Sequence, residues 1–88
     1  MDSVEALRVI RGLAKANRIR LTAHAEQEAA ECGASRRHIR CALVNARSVR
    51  ASGPGRASDW IVTGPDLDGD DLEIALIIED GLLVITVY

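Results

Sequence analysis

Phenylalanine is absent from this 88-residue chain, and Trp60 and Tyr88 are its only aromatic side chains. The 48% hydrophobic fraction must then come mainly from Leu, Ile, Val and Ala, so an aliphatic core is expected. So few rings also weigh against nucleic-acid recognition by base stacking. Two cysteines, Cys32 and Cys41, make no disulfide framework. With no C-x-x-C pair and only two His, no structural zinc spacing arises either. Reduced thiols in a reducing, cytoplasmic compartment are the expectation. The acidic start Met1-Asp2-Ser3-Val4-Glu5 does not read as a secretory leader. No run approaches the ~18 apolar residues of a membrane span. At this length one domain, residues 1–88, is expected.

Basic residues are missing altogether from the last third of the chain. Residues 1–56 hold all 11 basic and 5 of the acidic residues, a balance of +6, while 57–88 hold 8 acids and no base, a balance of −8. The formal net charge of −2 conceals this division. Either each half steers its own partner, or helices and sheet neutralise one another within the fold.

The first part of the chain has helical periodicity. Asp2 or Ser3 is placed to cap a first helix, with Glu5 three residues after Asp2. Val4, Leu7, Ile10 and Leu13/Ala14 form its apolar stripe, and Asn17 is its stop. Ile19-Arg20-Leu21-Thr22 reads as a short extended connector. Thr22 caps a second helix from His24 to about Cys32, ended by Gly33, and Ser35 caps a third, Arg36–Ala46. The third helix would bury Ile39, Ala42, Leu43 and Ala46, leaving Arg36, Arg37, Arg40 and Arg47 outside.

Beyond Ala46 the period changes. Ser48–Ala51 and Ser58–Thr63 read as strands around the turn Ser52-Gly53-Pro54-Gly55. Gly64–Asp71 reads as a polar turn, and Leu72–Ile78 and Leu82–Tyr88 as strands joined at Asp80-Gly81. Helices followed by strands indicate an α+β fold: about three N-terminal helices packed on a C-terminal antiparallel sheet of three to four strands.

The residues with chemistry concentrate in Thr22–Glu31. His24 and Glu28 lie four apart, on one face of the second helix. A His paired with a carboxylate is an acid–base couple suited to RNA cleavage or other hydrolysis. The same spacing also gives an ordinary surface pair worth about 0.2–0.5 kcal/mol. Arg36, Arg37, Arg40, Arg47 and Arg50, with Arg56, form a basic set able to meet RNA phosphates or an acidic partner. Asp66-Leu67-Asp68-Gly69-Asp70-Asp71 fails the calcium-loop pattern, because Gly69 stands fourth where the sixth residue must turn. Gly53-Pro54-Gly55 lacks the Lys and Ser/Thr of a phosphate loop. No metal or cofactor is expected.

Leu21-Thr22-x-His24-Ala25 opening a helix, Gly33-x-Ser35 opening the next one with Ile39, and the closing Val84-Ile85-Thr86-Val87-Tyr88 resemble a small bacterial family. It is catalogued as domain of unknown function 4258. The resemblance runs from about Arg20 to the end, so residues 1–18 would be an N-terminal helical extension of a core at 19–88. It implies a fold similar to RelE/barnase-like ribonuclease toxins, and toxin–antitoxin-type systems with MqsA-type antitoxins as partners. The family helix reads H-A-x-x-R-M-x-x-R-G; here His24, Ala25 and Gly33 match, whereas Glu28 and Cys32 occupy the arginine positions and Ala29 that of Met. A carboxylate at position 28 repels phosphate where an arginine would hold it.

Three readings follow. The preferred one is a degenerate or regulatory protein-interaction module, with an antitoxin or other protein as partner. The second is a metal-independent ribonuclease with His24 as general acid/base, Glu28 as its partner and the arginines on RNA. The third is a homodimer whose terminal strand, Leu82–Tyr88, pairs edge to edge.

Overall fold

A computed structural model describes all residues, 1–88. The chain runs α1 (Ser3–Lys15), β1 (Ile19–Leu21), α2 (Ala23–Glu31), α3 (Arg36–Val44), β2 (Ser48–Ala51), β3 (Trp60–Pro65), β4 (Asp71–Ile78) and β5 (Leu82–Val87). No helix is long and apolar enough to cross a membrane.

Local chemistry sets the helix ends. Asp2 Oδ1 accepts the Glu5 N–H at 2.8 Å, and Thr22 Oγ1 accepts that of Ala25 at 3.1 Å. Each removes one of the orphan donors of a first turn. At the other ends Asn17 (φ 58°) and Gly33 (φ 73°) adopt the left-handed conformation that reverses the chain. Arg18 N–H then returns to Leu13 O at 3.0 Å, and Ala34 N–H to Ala29 O at 2.8 Å.

The fold is α+β, but the sheet is mixed and has five strands, in the order β1-β5-β4-β3-β2. Ile19–Leu21, expected as a connector, is an edge strand that pairs in parallel with Leu82–Val84 of β5. Leu82 N–H donates to Arg18 O and Thr22 N–H to Val84 O, which fixes that register. Three residues are too few for alternation to announce a strand; the pairing with β5, about sixty positions away, makes it one. β5 is therefore interior, flanked by β1 and β4. The edge-to-edge homodimer expected through Leu82–Tyr88 has no free edge there to use.

All three helices pack on one face. The core comprises 17 buried residues, every one Ala, Ile, Leu or Val. It joins Ala6, Ile10 and Ala14 of α1, Ala25 and Ala29 of α2, and Ile39, Ala42 and Leu43 of α3 to Val62, Ile74, Leu76, Leu82 and Val84 of the sheet. The α1 stripe is thus rotated from the one periodicity suggested: Val4 is 78% exposed, and small Ala6 and Ala14 face inward beside Ile10. Two alanines allow α1 to lie close against α3, where larger side chains would hold the helices apart. The expected inner face of α3, including Ala46, is fully buried.

The opposite face of the sheet carries no helix, and its middle is apolar, although Arg50, Thr63, Glu73 and Thr86 share that face. Ile61 and Ala75 are 8% and 2% exposed but lie outside the core cluster, and Ile77, Leu83 and Ile85 are half-buried beside them. Register puts Ile61 opposite Ala75, Ala75 opposite Thr86, and Ile77 opposite Leu83, with Arg20 next in that row. Ile85 is the extra residue where the β4–β5 register shifts, between Leu76↔Val84 and Ala75↔Thr86. A sheet with one wetted face ordinarily alternates apolar and polar residues. Ile74–Ile78 and Leu82–Ile85 are instead continuous apolar runs, the pattern of strands covered on both sides.

Candidate functional site: the His24–Glu28 pair and the arginines

Capping at Thr22 starts α2 so that His24 and Glu28 share its solvent side. His24 Nε2 lies 3.2 Å from Glu28 Oε1, with the side chains 68% and 25% exposed. The couple expected from spacing is therefore formed. Glu28 also serves the sheet, because the same oxygen accepts the Val87 backbone N–H at 3.3 Å. Its carboxylate thereby ties the end of β5 to α2 as well as meeting the imidazole. No cavity surrounds the pair; the two grooves of the molecule lie along α3 and along α1.

The arginines do not converge on His24. Arg40 Nε donates to Ala14 O and its guanidinium to Lys15 O, both at 3.1 Å, so it caps the carbonyl end of α1. Arg36 donates to Asn17 Oδ1 at 3.3 Å. Arg47 pairs with Asp71 at 2.9 Å and Arg50 with Glu73 at 2.8 Å. The division of charge between the halves is thus answered in part inside the fold. Arg37 forms no hydrogen bond or ion pair and lines an open groove with Arg40, Cys41, Val44, Asn45 and Leu67. Arg56 lies exposed beyond Gly53-Pro54-Gly55. Because α2 packs on β5 and β1 while α3 packs on α1, β3 and β4, His24 and the α3 arginines belong to separate parts of the surface.

A second cluster lies outside the residues that spacing pointed to. His38 Nδ1 lies 3.2 Å from Ser35 N and 2.8 Å from Ser35 Oγ, and its Nε2 lies 3.1 Å from Asp68 Oδ2. Asp66 Oδ1 accepts the N–H groups of Asp68 and Asp70 at 2.8 and 3.0 Å. One ligand atom from each of His38, Asp66 and Asp68 falls within 4.8 Å of the others. These atoms are already hydrogen-bonded. With Nδ1 accepting the Ser35 N–H, Nε2 carries the proton and donates to Asp68, and Asp66 folds the β3–β4 turn. The arrangement ties α3 to that turn. Ser35 followed by His38 has the capping-box spacing, which is the signal that points to His38.

The architecture defines a two-layer α+β domain: three helices on one face of a five-stranded mixed sheet, the other face without a helix and apolar at its middle. Comparison with family models, curated proteins and solved structures finds no match to this chain.

Proposed function

We propose that this domain is a protein-interaction module that binds through the helix-free face of its sheet. The observation that carries the reading is that face itself: Ile77, Leu83 and Ile85 stand half-buried around Ile61 and Ala75 with no helix over them. Leaving aliphatic strands in water forgoes about 25 cal/mol for each Å² left uncovered, and contiguous apolar patches mark interaction sites. The resemblance of the Thr22–Gly33 segment to toxin-like domains supports a toxin–antitoxin-type setting, with the module as a RelE/barnase-like relative that keeps its surface for binding.

One observation favours the ribonuclease reading, the 3.2 Å contact between His24 and Glu28. Against it stand the missing cleft, the claim of Val87 on Glu28, and arginines held by partners within the chain. Expression of wild type and His24→Ala tests the two readings together. Neither is expected to arrest growth or degrade RNA, and Leu83→Glu is expected to abolish assembly while His24→Ala leaves it intact. RNA cleavage that disappears in His24→Ala would overturn the module reading.

A further inference from the structure

We infer that the paired outer surface of α1 and α3 is a docking site for an acidic amphipathic helix of another protein. This surface is separate from the helix-free sheet face and goes beyond the module reading above.

Charge selects the chemistry of the partner. α1 and α3 carry six cations, Arg8, Arg11, Lys15, Arg36, Arg37 and Arg40, against one acidic residue, Glu5. None of the six joins a salt bridge; those of the chain use Arg18, Arg47, Arg50 and the two histidines. Arg40 reaches from α3 to the Ala14 and Lys15 carbonyls, Arg36 to Asn17 Oδ1, and Arg11 from α1 to the Ala46 carbonyl. These neutral acceptors hold three guanidinium groups across the seam between the helices and leave their charge without a counter-charge. The side chains of Arg8, Lys15 and Arg37 are exposed and meet no acceptor in the chain. A surface of this sign attracts an anionic partner and repels a cationic one.

Polarity and relief select a helix. One groove runs along α1 past Val4, Leu7, Arg8, Arg11, Gly12 and Lys15, and another along α3 past Arg37, Arg40, Val44 and Leu67. Val4 is 78% exposed and Leu67 51%, so aliphatic and cationic side chains interleave on this surface. A nucleic-acid backbone would meet the cations but set the aliphatic side chains against phosphate, and no ring lines either groove for a base to stack on. An amphipathic helix with acidic flanks satisfies both, its apolar stripe in the groove and its carboxylates on the cations.

Gly12 points the same way without involving charge. It stands inside α1 with no left-handed φ, and nothing lies within 4 Å of where its Cβ would be. The fold gains nothing from glycine there, and glycine is a poor helix former. What the missing side chain provides is close approach for a second helix. The 13 residues of α1 span about 20 Å at 1.5 Å each, which matches roughly four turns of a partner helix.

The probe is a fluorescein-labelled, end-capped peptide of about 15 residues, long enough to follow α1, with a leucine stripe at helical spacing and glutamate flanking it. Fluorescence polarisation with the purified full chain is expected to give a micromolar dissociation constant that rises with salt. Arg37→Glu, Lys15→Glu and Gly12→Leu are each expected to raise that constant about tenfold or more. All three positions are exposed, and circular dichroism checks the fold; Arg8→Glu replaces any variant that loses helix signal. The same peptide with glutamine for glutamate is expected not to bind. Amide shifts by NMR are expected to fall on α1 and α3. Leu83→Glu, on the sheet face, is expected to leave the constant unchanged, so failure here and failure of the module reading are separate results. No binding at about 200 µM, far weaker than a micromolar constant, would overturn the inference. So would equal binding of the glutamine peptide, shifts confined to other elements, or tighter binding of a single-stranded uridine oligonucleotide than of the peptide.

Discussion

The carboxylate of Glu28 accepts the backbone N–H of Val87, tying α2 to the last residue of a central strand at 3.3 Å. His24, 3.2 Å from the same oxygen, is the more exposed and less constrained member of the pair. Glu28→Ala is expected to cost about 1 kcal/mol, the typical net worth of such a bond, while His24→Ala stays within ~0.5 kcal/mol as a surface change. Urea unfolding measures both. A larger loss for His24→Ala than for Glu28→Ala would contradict this assignment.

Gly64 lets α3 sit directly on β3. A Cβ at this position would run into the carbonyl oxygen of Ala42, with Ala46 Cα 3.0 Å away. Both obstacles are backbone, so neither can rotate aside. Gly64→Ala is expected to destabilise by at least ~2 kcal/mol, in the upper range for overpacking, seen as a fall in Tm. An unchanged Tm would mean that α3 can move off the sheet at little cost.

Two arginines of one helix should respond differently. Arg40 satisfies the carbonyls of Ala14 and Lys15, and Arg37 satisfies nothing. Arg40→Ala is expected to cost about 1–2 kcal/mol through orphaned carbonyls and lost packing, and to speed amide exchange in the last turn of α1. Arg37→Ala is expected to fall within ~0.5 kcal/mol of wild type. Equal effects would show that α1 does not depend on this cap.

Ser35 and His38 cap α3 reciprocally, with Ser35 Oγ accepting the His38 N–H at 3.3 Å and His38 Nδ1 meeting Ser35 N at 3.2 Å. Ser35→Ala is expected to cost about 1 kcal/mol. His38→Ala should add loss of protection in the β3–β4 turn, because Asp68 also loses its partner. Hydrogen exchange resolved by residue separates the two effects.

The two sheet faces should answer truncation unequally. Ile39→Ala opens a cavity in the core and is expected to cost about 2–5 kcal/mol. Ile85→Ala, on the open face, is expected to cost the isolated chain less than ~1.5 kcal/mol, since its side chain is only half-buried. Thermal unfolding at high dilution compares them; equal losses would mean that the open face is as well packed as the core.

Much of this molecule is legible in its residues because the signals are local. Asp2, Thr22 and Ser35 cap helices where capping chemistry places them, and Ile39, Ala42 and Leu43 point inward as helical spacing requires. The spacing of His24 and Glu28 also yields a real contact. What it could not convey was that Glu28 is shared with Val87, 59 positions away. The arginines misled in the same way. As a set they look basic and free, but Asp71, Glu73 and the end of α1, supplied by distant segments, claim four of the five within 36–50.

The sequence by itself determined the class of the fold, the aliphatic core, three capped helices and most of the strands, because caps, turns and periodicity act over a few residues. Tertiary structure alone decided the rest. Ile19–Leu21 becomes a strand only through hydrogen bonds to Leu82–Val84, so β5 is interior and the sheet is mixed. The same pairing leaves one layer of helices on a sheet whose inner strands β4 and β5 are apolar on both sides over Ile74–Ile78 and Leu82–Ile85. Hydrophobic runs state that both faces are to be covered; only the path of the chain shows which face has been left for something else to cover.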